Sequence, residues 1–430
     1  MKKIAITTLG CKTNQFESAA MRESLAKEGF EIVPFSHLAD IYIINTCTVT
    51  ARTDAESRKL VRRAARLNPD SRIVVTGCYA QLAATELADL PNVALVTGNS
   101  EKRGIASLIL NLGEEPRILV SDVGAASRAE ALHLETFSEH TRSFLQIQNG
   151  CDAFCSYCIV PYARGRSRSV PFEEALAGAR SSAEAGFAEV VLTGIHLGAY
   201  GLDLTPKRGL LELLQRIDAD GVVSRLRLGS IEPNEVTEEF IGFMAVSRTF
   251  CPHIHLPLQS GSAKILSAMG RCYSPAFIRE LVTGLVSKIP DISIGLDLIA
   301  GFPGESEEDH AETCNLIDSL PVAYLHVFPY SSRPGTKAAA MSGHLHPSVI
   351  KRRAEELRRI GGRKSQEFAG KFVGRVLPVL IQHDGKSGVS RNYLTVMPDR
   401  AIGETGIELS VRITGVNSDG SCKGSPLKNP

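Results

Sequence analysis

The sequence predicts an α/β protein with two successive β/α alternations and a short all-β tail. Three observations carry that expectation. Strand-like runs alternate with helix-like runs from residue 4 to residue 110, and the alternation resumes from 144 to 330. Residues 370–430 hold only short strand-like runs between glycine-rich and polar turns. Alternating elements bury strands between helices as parallel sheets, whereas short strands without helices close on themselves as small barrels.

In the first alternation, strands are expected at 4–9, 41–45, 73–76 and 94–97, and helices at 15–28, 55–67, 81–90 and 102–110. A flavodoxin-like open parallel sheet over residues 1–125 is the natural arrangement. Cys11, Cys47 and Cys78 each follow a different expected strand. The carboxyl ends of parallel strands share one edge, where ligands bind. Three cysteines distant in sequence are therefore expected to converge there as a second thiolate site; three buried core thiols are the alternative. On the helix after Cys47, Arg58, Arg62 and Arg66 form one stripe at i, i+4 spacing. The stripe reads as a solvated face or a phosphate-contacting patch.

Residues 113–140 are polar and weakly patterned, with a short strand expected at 117–120 and a linker placed at 126–142. The second alternation, taken as a domain of residues 143–345, has strands expected at 144–148, 189–193, 225–229, 253–257, 292–299 and 324–329. Helices are expected at 172–185, 210–217, 235–245, 275–286 and 307–319. Six β/α repeats suit a partial (β/α)6 barrel, whose active site belongs at the carboxyl ends of the strands.

The stretch that organises this domain is Cys151-Asp152-Ala153-Phe154-Cys155-Ser156-Tyr157-Cys158, which follows the first of those strands. Thiolates select iron–sulfur clusters, zinc or copper(I). Three thiolates on a four-iron cluster leave one iron open for a ligand. That reading is favoured over a Cys3His zinc site or an incidental cysteine loop. Polar and glycine clusters fall at the other strand ends: Gly194 with His196, Ser230 with Glu232, Gln259 with Ser260, and Gly301-Phe302-Pro303-Gly304-Glu305. Together they suggest a cofactor pocket, although β/α turns favour the same residue types.

A basic connecting helix is expected over 346–369, with Lys351, Arg352, Arg353, Arg358 and Arg359 as RNA contacts and Gly361-Gly362 as a break or bend. In the tail, strands at 376–382, 393–397 and 407–414 suggest an OB-like barrel, a common nucleic-acid module. The chain is 43% hydrophobic and 22% charged with net charge +1, so no global field draws it to nucleic acid or membrane. With no signal-like or membrane-length apolar run, the protein is expected in the cytoplasm. Its ten cysteines are expected as ligands or free thiols.

CxxxCxxC with Tyr157 before the last cysteine resembles the radical S-adenosylmethionine enzymes. The strings IQNGCDAFCSYCIVPYARGRSRS, LPLQSGSAKILSAMGRCY, DLIAGFPGES and HVFPYSSRPGTKAA resemble its methylthiotransferase branch. Cys11, Cys47 and Cys78 match that branch's auxiliary-cluster cysteines, and the tail resembles its TRAM domain. TLGCKTNQFES and NTCTVTARTDAESR most resemble members that modify threonylcarbamoyl-adenosine in tRNA. The resemblance implies two 4Fe-4S clusters, one on Cys151, Cys155 and Cys158. It also implies S-adenosylmethionine as radical source and methyl donor. Candidate contacts for S-adenosylmethionine are Tyr157, Gly194, Ser230, Glu232, Gln259, Asp297, Gly301, Pro303 and Gly304. The implied reaction puts a methylthio group on C2 of N6-threonylcarbamoyladenosine 37 of tRNA; the alternative substrate is N6-isopentenyladenosine 37. An electron donor such as flavodoxin or ferredoxin and a sulfur source are implied as partners. A zinc-containing RNA-binding protein is the non-enzyme alternative.

Overall fold

The computed structural model describes residues 1–430 except 114, 127–128, 130–140, 383 and 428–430. Most of the linker expected over 126–142 lies outside the described residues.

The first six strands are β1 (Lys3–Thr8), β2 (Glu31–Val33), β3 (Ile41–Thr46), β4 (Arg72–Gly77), β5 (Val93–Thr97) and β6 (Arg117–Leu119). They form one sheet in the order β2-β1-β3-β4-β5-β6, and every pairing is parallel. Apolar clusters cover both faces, one around Tyr42, Val61 and Val75 and the other around Ile6, Met21 and Ile43. The short strand expected at 117–120 is thus the sheet's last strand. The edge strand β2 was missed, because its three residues carry no readable alternation. The first helix begins at Lys12 rather than residue 15, so Cys11 stands at its amino-terminal cap. The second begins at Ala51 because Thr50 and Thr53 form a reciprocal cap. The helix expected over 81–90 is two short ones, Cys78–Leu82 and Ala84–Ala88.

The barrel strands are β7 (Arg142–Gln146), the small antiparallel pair β8 (Gln148–Asn149) and β9 (Arg168–Ser169), then β10 (Glu189–Thr193), β11 (Arg225–Leu228), β12 (His253–Gln259), β13 (Ser293–Ala300) and β14 (Tyr324–Pro329). Two parallel sheets, β11-β10-β7 and β12-β13-β14, meet through the bridges Leu226–Phe250 and Ser230–His255. The result is an open six-stranded parallel crescent, as expected of a partial barrel.

One long helix, Pro347–Gly370, packs against β14. Gly361-Gly362 does not break it. A Cβ on Gly361 would stand 3.1 Å from Leu325 Cβ, so this glycine lets helix and strand approach. The tail is a closed five-stranded barrel of β15 (Val376–Ile381), β16 (Gly388–Ser390), β17 (Thr395–Pro398), β18 (Glu408–Val416) and β19 (Cys422–Pro426). The sequence showed three of these strands; β16 and β19 are short and rich in glycine and serine. Arg225 and Arg227 hold this barrel to the crescent. Both pair with buried Glu189, and they reach the carbonyls of Val389 (3.0 Å) and Arg391 (3.1 Å). Burial opposes the charge on Glu189, yet Arg227 and Arg225 hold its carboxyl down to about 2.

Candidate active site between two cysteine sets

The loop carrying Cys151, Cys155 and Cys158 is held by its backbone. Gly150 has φ +73°, and a Cβ there would fall 1.9 Å from the Arg166 carbonyl oxygen. The Gln148 amide nitrogen donates to Gly150 O (2.7 Å) and Ser167 Oγ (2.9 Å), while its oxygen accepts from the amides of Ile195 (2.9 Å) and His196 (2.8 Å). Gly194 belongs to this clamp, since a Cβ on it would meet Gln148 Oε1 at 3.0 Å. Further along, Ser156 N donates to Met269 O (3.0 Å) and Ala338 N to Ser156 O (2.7 Å). The loop is thereby fastened on both sides of the crescent.

Two cationic or proton-donating groups face its sulfurs. Arg271 donates to Cys155 Sγ at 3.2 Å, and its guanidinium pairs with Glu232. His196 Nδ1 lies 3.6 Å from Cys151 Sγ, with its other nitrogen 2.7 Å from Glu235. Sequence reasoning missed Arg271, although it adjoins Cys272 in a stretch already singled out. Its signal was an arginine one residue past a helix end marked by Gly270.

Cys11, Cys47 and Cys78 follow the adjacent strands β1, β3 and β4, and Cys78 and Cys11 are near enough to act on the Cys47 thiol. Gly10 and Gly77 both have φ +98°. A Cβ on Gly10 would be 2.8 Å from Cys47 Sγ, so that glycine is the space beside Cys47. Burial, with Cys78 close by, pushes the Cys47 thiol up to about 12. Burial likewise pushes Cys158 up to about 12. At neutral pH such thiols ionise only when a metal takes the sulfur.

The donor sets fit clusters better than single ions. Three thiolates on one zinc stand about 3.8 Å apart, from bonds of about 2.3 Å. In neither trio do all three sulfurs lie within 4.8 Å of one another. Soft, all-sulfur, three-donor sets with cationic neighbours suit iron–sulfur clusters.

Beside Cys158 lies a cavity of about 230 Å³. Its walls are Val49 and Thr50, just past Cys47; Tyr157 to Val160; and the barrel strand ends Gln259, Asp297, Ile299 and Phe328 to Ser331. Gln259 is buried with φ +72°, an uncommon conformation held by its surroundings. Of the proposed cofactor contacts, Tyr157, Gln259 and Asp297 therefore line the cavity. Glu232 reaches Cys155 through Arg271, and Ser230 is exposed. Gly301, Pro303 and Gly304 form a turn outside the cavity lining: a Cβ on Gly301 would be 2.6 Å from Ile350 of the long helix.

The first domain is clasped to the barrel by buried charges. Arg164 donates to Glu17 (2.7 Å) and Asn14 (2.5 Å), and Lys102 also pairs with Glu17. Burial works against the Glu17 carboxylate, but Arg164 and Lys102 hold its carboxyl down to about 2. Asn99 joins Ala163 O (2.8 Å), and Arg333 joins Thr48 (2.8 Å) and Asp54.

The basic residues divide. Arg62, Arg66, Lys351, Arg352, Arg358 and Arg359 are exposed. Arg58 is half-buried against Tyr79 and Glu86. Arg353 corrects the sequence reading. It is 2% exposed and committed to Glu305 (3.1 Å) and Glu307 (2.8 Å), so it offers no charge to a ligand. Among the described residues, no helix is long and apolar enough to cross a membrane.

Residues 3–98 match the model of the uncharacterized protein family UPF0004, and residues 145–317 match the radical SAM superfamily. The chain is 38% identical to the threonylcarbamoyladenosine tRNA methylthiotransferase MtaB of Aquifex aeolicus, over 92% of this chain and 96% of that one. It is also 38% identical to MtaB of Bacillus subtilis, over 92% and 90%. A tRNA-2-methylthio-N(6)-dimethylallyladenosine synthase of Methylacidiphilum infernorum is 32% identical over 93% and 89%. Among solved structures, the radical S-adenosylmethionine methyltransferase TsrM of Kitasatospora setae shares the fold, with a TM-score of 0.55 at 17% identity, covering 78% of this chain and 77% of that one.

Proposed function

The chain belongs to the radical S-adenosylmethionine tRNA methylthiotransferases, and from that premise we propose that it methylthiolates C2 of N6-threonylcarbamoyladenosine 37 in tRNA. The observation that carries this reading is a three-cysteine loop whose Cys158 lines a cavity that Val49 and Thr50, just past Cys47 of the second cysteine set, help to wall. The C2–H bond of adenine has no acidic proton and no leaving group, so acid–base side chains cannot open it. Two 4Fe-4S clusters with S-adenosylmethionine supply the one-electron, methyl-transfer and sulfur chemistry that this bond requires.

The protein's own residues bind and orient. Cys151, Cys155 and Cys158 hold one cluster, with Arg271 and His196 placed to offset thiolate charge. Cys11, Cys47 and Cys78 hold the other, where helix amino termini face Cys11 and Cys78. Tyr157 and Gln259 shape the cavity for S-adenosylmethionine, and Glu232 keeps Arg271 in place. Exposed Arg62, Arg66, Lys351, Arg352, Arg358 and Arg359, with the carboxyl-terminal barrel, offer phosphate contacts to tRNA. A flavodoxin- or ferredoxin-type electron donor and an external sulfur source complete the reading.

The test is nucleoside analysis. Cluster-loaded protein, S-adenosylmethionine, a reductant and tRNA bearing threonylcarbamoyladenosine are expected to give its 2-methylthio derivative by mass spectrometry. Product only from isopentenyladenosine tRNA would replace the substrate, and zinc in place of iron would leave an RNA-binding protein without this chemistry.

Arg353 gives a separate expectation. Arg353→Ala leaves the buried Glu305 carboxylate without its cation and should cost about 3–5 kcal/mol in urea unfolding. The salt dependence of tRNA binding should not change, whereas Arg359→Ala should lower its slope by about one unit.

A further inference from the structure

One cluster of ligand-type side chains inside the crescent is not used by the reading above. His253 and His255 of β12, Asp297 of β13, and Tyr324 and His326 of β14 alternate with buried or partly buried apolar residues and share the inner face. Tyr324 has room only because residue 295 is glycine: a Cβ there would fall 2.1 Å from Tyr324 Cζ. The Tyr324 hydroxyl lies 2.8 Å from His253 Nε2 and 3.0 Å from His255 Nδ1. With Nδ1 so tethered, His255 Nε2 is aimed at Asp297 Oδ1, 2.8 Å away. His326 Nδ1 approaches the same oxygen from the other side at 3.3 Å.

These contacts are close, yet Asp297 Oδ1 is buried without an aligned donor. One atom from each of the three residues lies within 4.8 Å of the others. Two imidazoles and one carboxylate converging on a point form a donor set for a divalent ion. A second hydrogen bond on the outer nitrogen of His255 is the usual device that orients a histidine ligand. Side-chain exposure rises across the set, from 8% at His255 through 20% at Asp297 to 55% at His326, which opens on a second cavity towards the carboxyl-terminal barrel. Asp297 also lines the reaction cavity.

The charge of the substrate gives such an ion a task. The threonylcarbamoyl substituent ends in a carboxylate, and no lysine or arginine is among the described residues lining the cavity. A bare Asp297 would repel that group. A dication held by Asp297 and two neutral histidines leaves a net single positive charge facing it. An apolar dimethylallyl substituent would gain nothing from such a charge.

The geometry points to a divalent-cation site formed by His255, Asp297 and His326, whose open positions receive the carboxylate of the N6 substituent. The assignment deepens the proposed substrate and rests on it. The experiment uses cluster-loaded enzyme and Mn(II), with free manganese read by electron paramagnetic resonance. Wild type is expected to bind one manganese saturably. Asp297→Asn and His326→Ala should each weaken binding by at least about tenfold, while iron and sulfide contents, which report folding, stay at wild-type values.

With manganese present, wild type should also bind an anticodon stem-loop carrying threonylcarbamoyladenosine at least about tenfold more tightly than the unmodified one. Chelation or His326→Ala should remove that preference. Absence of saturable manganese, variants that bind it as wild type does, or a preference that survives chelation would each overturn the site. The manganese readout contains no tRNA, so its failure leaves the proposed substrate standing. A preference for isopentenyladenosine RNA would remove the substrate reading while the manganese result stood.

Discussion

Replacing Cys155 with alanine is expected to abolish reductive cleavage of S-adenosylmethionine, seen as loss of 5′-deoxyadenosine under a strong reductant, and to remove about half of the iron. The expectation follows from how Cys155 is placed. It is the middle cysteine of the loop, its carbonyl accepts from Cys158 N (2.9 Å), and its sulfur accepts from Arg271 (3.2 Å). Alanine keeps the backbone turn but removes the sulfur. It leaves a two-thiolate set, with Arg271 aimed at a vacant position. A loss of at least about a thousandfold, or roughly 4 kcal/mol of barrier, is expected. The remaining iron should belong to the first domain, whose cysteines follow three separate strands. An iron content unchanged by the substitution would move the cluster elsewhere.

Replacing Cys47 with alanine should give the complementary result. Iron again falls by about half, but S-adenosylmethionine cleavage continues and no methylthio-nucleoside forms. Cys47 is 4% exposed and packed beside Gly10, in a different domain from the radical-forming loop. Its loss leaves a small space that the smaller side chain tolerates, so the domain should still fold. Methylthio product from this variant, measured in digested tRNA, would overturn the assignment of Cys11, Cys47 and Cys78 as the sulfur-bearing set.

Much of the site was legible because its logic is topological. A cysteine after each of β1, β3 and β4 needs only parallel order to converge, and alternation announces parallel order. CxxxCxxC needs no fold at all. What escaped the sequence was whatever depends on which side chain answers which across domains. Arg353 looked like its basic neighbours on the helix, yet the 3.6-residue period turns it inward to Glu305. Arg271 looked like an ordinary residue after a helix and proved to face Cys155. Gly361-Gly362 looked like a helix break, because the strand pressed against it lies thirty-six residues earlier, at Leu325. The short strands β2, β16 and β19 were missed because three to five residues carry too little periodicity to separate them from turns.

The clasp of Glu17, Arg164 and Lys102 has a consequence for how a polynucleotide is served. Buried paired charges resist separation, since parting them would leave an unpaired ion in a low-dielectric interior. The two walls of the cavity therefore keep their spacing, and an anticodon loop cannot enter folded as it stands. The target adenine has to unstack and swing out of the loop to reach the cavity beside Cys158, at a cost of a few kcal/mol. On the proposed reading, the exposed arginines and Lys351 contact backbone rather than bases and supply the attraction that offsets this extrusion. On this view the enzyme selects among tRNAs partly by how readily each loop gives up its base.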